Sequence, residues 1–149
     1  MCSVKERIRT YLRVCIDEMD LIEKMSVSIE SPEDFGQSIT GMTVFRACGM
    51  SLQYITENFI KIRNKVSEEF FSPYKQVPWK AVFGLRNVLS HEYSDIDDEA
   101  VFNTIRKDLP VLRETTNKML EDLESGKLDK FLQDWHKSGI LDLSHYQNF

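Results

Sequence analysis

The residues best suited to chemistry at neutral pH lie in one short stretch of the chain, between Val77 and Tyr93. Within this stretch Arg86 is followed by Asn87 and then by His91. A histidine changes its protonation state near neutral pH and can act as a base or an acid. An arginine keeps its charge and can bind phosphate oxygens through paired donors. Such a set could cleave RNA without a metal if the substrate's own 2′-hydroxyl were the attacking group.

Helical periodicity gives this stretch two faces. Each residue of an α-helix turns by about 100°, so Val82, Leu85 and Leu89 fall on one side, which we expect to face the core. Asn87 and His91 share a stripe that faces away from that core. The polar side chains are therefore expected on the exposed side of a core-packed helix.

Two further features of this helix bear on its function. Gly84 lies inside it, where glycine costs about 1 kcal/mol relative to alanine, so we expect a close approach to its backbone. Arg86 and His91 lie about 140° apart on an ideal helix. Either the helix ends or distorts by His91, or a second subunit completes the site. On spacing alone, a histidine near a helix end is more often a structural group, and the function stays open.

The rest of the chain predicts the helices that would position this stretch. Their apolar residues recur at steps of three and four. The predicted helices run from Val4 to about Met25, from about Thr43 to Phe70, from Pro78 to about Tyr93 and from after Asp97 to about Glu124. Ser31 to Asp34 forms a capped turn, Asp95 or Asp97 can cap the fourth helix, and Pro110 should kink it. The pattern predicts an all-α, up-down antiparallel bundle of four main helices with a short C-terminal helical tail.

Length and composition predict a single domain over residues 1–149. The core of this domain, at about 5–123, is expected to be followed by a C-terminal extension at 124–149. The three cysteines form no Cys-x-x-Cys pair, which favours a reducing, cytoplasmic environment. We expect no signal peptide and no membrane span. The apolar side chains of the extension are expected to fold back onto the bundle or to contact a partner.

Charge argues for local rather than general binding of nucleic acid. The net charge of -5 is unlike that of a nucleic-acid coat protein. Two clusters of basic residues nevertheless occur, and the first, taken alone, is more often a solvated helix face. These clusters are Lys61, Arg63 and Lys65, and Lys75, Lys80 and Arg86.

The segment RNVLSHEY, residues 86–93, resembles the Arg-x4-His-x-Tyr motif of HepT-type proteins of the HEPN class. KDLPVL at 107–112 follows at the usual distance. ITEN at 55–58 resembles the segment where the family usually has Gly-Glu-Ala. The likeness covers roughly residues 5–123 and is sharpest over 77–112.

The resemblance implies roles for individual residues. Arg86 and His91 would be the catalytic pair of a metal-independent endoribonuclease, and Asn87 would assist them. Tyr93 would carry the hydroxyl that a partner enzyme adenylylates. Glu57 would give possible support, although Thr56 and Asn58 replace the small residues usual beside it.

The resemblance also implies partners. The protein would be the toxin of a type II toxin–antitoxin pair, acting on RNA rather than DNA and silenced by a cognate minimal nucleotidyltransferase. Family members are homodimers whose motifs meet in a cleft between subunits. No cofactor or metal is expected, and the Glu-x-x-His pairs of di-iron bundles are absent from the sequence. The alternative is a non-catalytic nucleotide-binding subunit of a two-component nucleotidyltransferase, in which Arg86 and His91 would hold a phosphate.

Overall fold

A computed structural model describes residues 3–91 and 96–132, except for the side chains of Ser90 and His91. All regular structure in these ranges is helical, which confirms the predicted all-α class. The helices are α1 (Val4–Met25), α2 (Ile39–Arg63), α3 (Trp79–His91), α4 (Asp98–Asn103) and α5 (Leu109–Glu124). Helix α1 packs against α2 and α5, and α3 packs on α2.

Helix α1 has the predicted limits because both its start and its buried face are set by sequence. The Ser3 hydroxyl accepts from the Glu6 N–H at 3.1 Å, and the Ser3 N–H donates to the Glu6 carboxylate at 3.1 Å. This reciprocal cap satisfies two amides that a helix start would otherwise leave without partners. The apolar stripe of α1 is fully buried and consists of Ile8, Leu12, Cys15, Met19 and Ile22.

Helix α2 differs from its predicted limits at both ends. It begins at Ile39 rather than Thr43, because the Ser38 hydroxyl caps it by accepting from the Gly41 N–H at 2.9 Å. A side chain at Gly41 would overlap the Asp34 carbonyl, so glycine is needed where the preceding turn crosses α2. The helix ends at Arg63, not Phe70, and Phe70 lies fully buried in a separate 3-10 turn.

The predicted fourth helix is a composite of α4 and α5. The Asp97 carboxylate caps α4 by accepting from the Glu99 N–H at 3.1 Å. The interruption expected at Pro110 is a π-helical turn over Thr104–Asp108, directly before α5. Proline has no N–H to donate to the carbonyl one turn earlier, and a wider turn accommodates that loss.

The segment before α3 is tied to α5 by one buried and one partly buried polar contact. The Tyr74 hydroxyl donates to the Asp122 carboxylate at 2.7 Å, and the Gln76 amide donates to the Thr115 hydroxyl at 3.0 Å. Burial, followed by the bond to Asp122, raises the pKa of Tyr74. These contacts fix the point from which α3 leaves the bundle.

After α5 the chain turns back at Gly126, whose φ of 87° lies in the left-handed region. Leu128 and Leu132 then return to the core. The extension thus folds back as far as Leu132, and the rest of the predicted tail lies outside the described residues. No helix of the described chain has the length and apolar character needed to span a membrane.

Candidate functional site

An aromatic cluster anchors the start of α3 on α2. The Trp79 ring lies 5.3 Å from that of Phe59 and 4.7 Å from that of Phe71, measured between centroids. The Trp79 indole N–H donates to the Tyr74 carbonyl at 3.0 Å. Because the first turn of α3 is held so firmly, the residues further along the helix have a fixed orientation.

The two predicted faces of α3 are present. Leu89 is buried, and Val82 and Leu85 pack half-buried against the core. Arg86 and Asn87 are exposed, as expected from the helical periodicity. The two candidate residues whose side chains the structure describes in α3 are therefore accessible to a ligand.

The close approach expected at Gly84 is not made within the described chain. A Cβ at Gly84 would meet no atom within 4 Å. A close approach by a second subunit or a ligand is still possible at this position and stays a prediction. Here the backbone of Gly84 borders an open surface instead.

Arg86 lies in a shallow groove of about 670 Å³ between the end of α2 and the exposed side of α3. Three cations, Arg63, Lys80 and Arg86, line this groove together with one acid, Glu68. Within the described residues, none of the three cations forms an ion pair with a carboxylate. We call this the α2–α3 groove.

Sequence reasoning missed Arg63 as a site residue. It assigned the cluster around Arg63 to a solvated face, yet the fold brings Arg63 beside Lys80 and Arg86. The Arg63 guanidinium stacks over the Phe83 ring, 4.5 Å from its centroid. Lys61, two residues earlier, instead lies 5.7 Å from the centroid of the Tyr11 ring. The only available signal was helical phase, which separates Lys61 from Arg63 by about 200°.

Glu57 does not line the α2–α3 groove. It lies half-buried in the middle of α2, and its carboxylate accepts from the Gln53 amide at 3.5 Å. Asn58 beside it is buried and donates to the Tyr54 carbonyl at 2.8 Å. The supporting role of Glu57 stays a prediction, because the contact that it makes among the described residues is with Gln53.

Helix α3 is helical through His91, the last residue that the structure describes before residue 96. The backbone positions of Arg86 and His91 are thus joined by helix, which keeps the separation of about 140° around the axis. The His91 side chain and the whole of Tyr93 lie outside the described residues. Among the described residues, no group of histidine, cysteine and acidic side chains could hold a metal ion.

The sequence of this chain matches a known protein family. Residues 15–119 match the family model described as ribonuclease HepT-like. The chain belongs to this HepT-like ribonuclease family, and its enzyme class is that of a ribonuclease. The matched region includes Arg63, Lys80, Arg86 and His91.

Curated relatives agree with this family. A protein of Caldanaerobacter subterraneus named as a candidate RNase is 30% identical over 113 residues, which cover 76% of this chain and 94% of the relative. A candidate ribonuclease HepT of Thermococcus cleftensis is 23% identical over 104 residues, covering 67% of this chain and 93% of the relative. A protein of Methanocaldococcus jannaschii, named as both a gamma-glutamylcyclotransferase and a candidate RNase, is 25% identical over 128 residues. The match covers 86% of this chain but 54% of that longer relative. The solved structures contain no significant match.

Proposed function

We propose that this protein is a metal-independent endoribonuclease toxin, in which Arg86, Asn87 and His91 act on a phosphate of RNA. The observation that carries the proposal is the position of Arg86. It is exposed, has no carboxylate partner within the described chain, and lies in a groove with two further cations inside the region that matches the ribonuclease family. A polyanion is the substrate that such a groove favours.

The chemistry requires only groups of the substrate and of these side chains. The RNA 2′-hydroxyl attacks the adjacent phosphorus, and the bond from phosphorus to the 5′-oxygen of the next nucleotide breaks. His91 takes the proton of the hydroxyl, and the protonated histidine then gives a proton to the departing 5′-oxygen. Arg86 stabilises the charge that develops on the non-bridging oxygens, while Asn87 orients the phosphate. The products are a 2′,3′-cyclic phosphate and a free 5′-hydroxyl.

A homodimer would complete this site. Since the positions of Arg86 and His91 lie about 140° apart around an ideal helix, a second subunit could supply the missing group at each phosphate. Gly84 leaves the surface of α3 open to such an approach. Helix α2 also exposes apolar side chains that a partner subunit would cover, at Ile39, Met42, Met50 and Tyr54.

A cognate minimal nucleotidyltransferase would be the antitoxin, acting on Tyr93. The Tyr93 hydroxyl would attack the α-phosphorus of ATP, forming a tyrosyl-AMP ester and releasing pyrophosphate. Tyr93 follows His91 by two positions, so the added nucleotide would lie beside the catalytic histidine and exclude RNA. RNA and ATP are both present in the cytoplasm, where we place the pair. Incubation with the partner and ATP should add the mass of AMP, and Tyr93→Phe should abolish that gain.

The direct experiment compares cleavage of cellular RNA, and growth on expression, for wild type and His91→Ala. Wild type should cleave RNA and arrest growth, whereas the variant should fold, by its circular dichroism and melting temperature, and do neither. Arg13→Ala is the control, because Arg13 is exposed on α1 and away from the groove. Equal activity of wild type and His91→Ala would overturn the assignment. Nucleotide binding without cleavage by either protein would establish the alternative, a nucleotide-binding subunit.

A further inference from the structure

We propose that Arg63 and Lys80 bind RNA phosphates next to the phosphate held by Arg86, so that the α2–α3 groove is the path of the substrate strand. This inference rests on the proposed function, because it takes RNA as the ligand. It adds two binding residues that the Arg-x4-His-x-Tyr motif does not contain.

Arg63 is held in a geometry suited to binding an anion. As the last residue of α2, it places its guanidinium over Phe83 of the neighbouring helix, 4.5 Å from the ring centroid. Phe83 is itself fixed by the edge of Phe71, whose centroid lies 5.4 Å away. A guanidinium lying on an aromatic face keeps the N–H donors at its edge free for a phosphate. Stacking therefore restricts the side chain before the ligand arrives.

Lys80 and Arg86 extend the site along α3. They are separated by about 9 Å along the helix axis, at about 1.5 Å per residue. This distance suits different phosphates of one strand better than a single phosphate. Gly84 lies between them on the surface of the groove, and its missing side chain leaves room for the strand.

The local charge supports the same path. The three cations outnumber Glu68, the acid that lines the groove in the described structure, although the chain as a whole carries a net charge of -5. An excess of positive charge on an acidic protein indicates a local site for a polyanion rather than general attraction to nucleic acid.

The test measures binding separately from cleavage. In this test, a fluorescein-labelled single-stranded RNA oligonucleotide is titrated with the His91→Ala protein, which should bind the RNA without cleaving it. Fluorescence anisotropy then gives the affinity at several salt concentrations between about 0.05 and 0.2 M. Each phosphate contact to single-stranded nucleic acid contributes about 0.7 to the slope of log K against log salt. Arg63→Gln and Lys80→Gln, each added to His91→Ala, should therefore lower the slope by about 0.7 and weaken binding about fivefold at 0.1 M salt.

Lys61→Gln is the matched control, because it removes the same charge from α2 outside the groove. It should leave the slope unchanged. Arg63→Lys keeps the charge but loses planar stacking, so it should retain the slope while binding more weakly. Melting temperatures of all variants identify any loss of folding, and Arg63→Lys covers the case in which Arg63→Gln unfolds.

Failure of this inference can be told apart from failure of the proposed function. Suppose that wild type cleaves RNA, but that Arg63→Gln and Lys80→Gln show the same slope of log K against log salt as Lys61→Gln. The proposed strand path is then wrong, and the endoribonuclease assignment is retained. If the salt slopes of Arg63→Gln and Lys80→Gln fall as expected while wild type does not cleave RNA, the strand path is supported and the catalytic proposal is wrong. Absence of any salt-dependent binding to RNA overturns the path directly.

Discussion

Two parts of the molecule use basic residues in opposite ways. Along the α1–α5 seam, where α1 meets α5 and the turn after it, cations are paired with carboxylates. These pairs are Lys5 with Asp129 at 3.0 Å, Arg9 with Glu124, and Arg113 with Asp20 at 2.9 Å. Elsewhere on α5, Lys118 pairs with Asp122 at 3.2 Å. In the α2–α3 groove the cations have no such partner among the described residues. Basic residues are thus neutralised by acids of the same chain in the seam, whereas in the groove they remain available to an external anion.

Pairing in the seam also shifts the pKa of one of its acids. In the seam, the hydrogen bond from Arg9 lowers the pKa of Glu124, and the pair satisfies its own charge. Exposed pairs of this kind contribute little to stability. The seam is therefore best understood as a surface where charge is neutralised, whereas the groove keeps an excess of positive charge for a ligand.

The largest stability effect should come from Asp122, the buried acid among the paired carboxylates of α5. Replacing Asp122 with alanine removes the acceptor of the Tyr74 hydroxyl and leaves a buried donor without a partner. We expect a loss of about 2 kcal/mol in the free energy of unfolding, measured in urea, since bonds to charged groups contribute about 1.5–3 kcal/mol. Arg86→Ala should cost little, because Arg86 is exposed and has no described partner. Equal losses in both variants would contradict the contrast between the two regions.

A smaller effect should appear as a dependence of stability on pH. Desolvation raises the pKa of Asp122, but the hydrogen bonds from Tyr74 and Lys118 and the charges of Lys118 and Lys127 outweigh it, and the net pKa is lowered. A group with a lowered pKa in the folded state stabilises fully above its unfolded value, about 3.9 for aspartate, and loses that contribution as pH falls through the folded value. Stability should therefore decline below about pH 4.

Asp122→Asn isolates this contribution. The variant keeps an acceptor for Tyr74 but cannot titrate, so its acid-dependent loss of stability should be shallower than that of wild type. The measurement is the free energy of unfolding at several pH values from 3 to 7. Parallel profiles for the two proteins would assign the acid sensitivity to other carboxylates.

Sequence alone predicted what periodicity and capping control. Helix α1 and the core face of α3 follow from apolar spacing, and Asp97 follows from its capping position. The predicted end of α2, at Phe70, was wrong because the apolar pattern continues from Ile62 to Phe70. Only tertiary packing shows that Phe70 belongs to a separate turn and is buried there.

The candidate site shows the same limit. The motif supplied Arg86, Asn87 and His91, because they are neighbours in sequence. Arg63 was missed because its place in the groove depends on how the end of α2 crosses α3, which no local pattern encodes. Gly84 borders an open surface in the described chain, so the close approach expected there stays a prediction about a second subunit or a ligand.

Arg86 is the groove cation that also belongs to the motif, so the proposed ribonuclease function depends on it most. The deciding measurement is the cleavage rate of a labelled single-stranded RNA by wild type, Arg86→Ala and Arg9→Ala at equal concentration. Removal of a group that stabilises transition-state charge costs about 100-fold or more, so Arg86→Ala should fall by at least that factor with an unchanged melting temperature. Arg9→Ala, which loses a paired seam cation, should cleave at the wild-type rate. Cleavage by Arg86→Ala at the rate of Arg9→Ala would contradict the account.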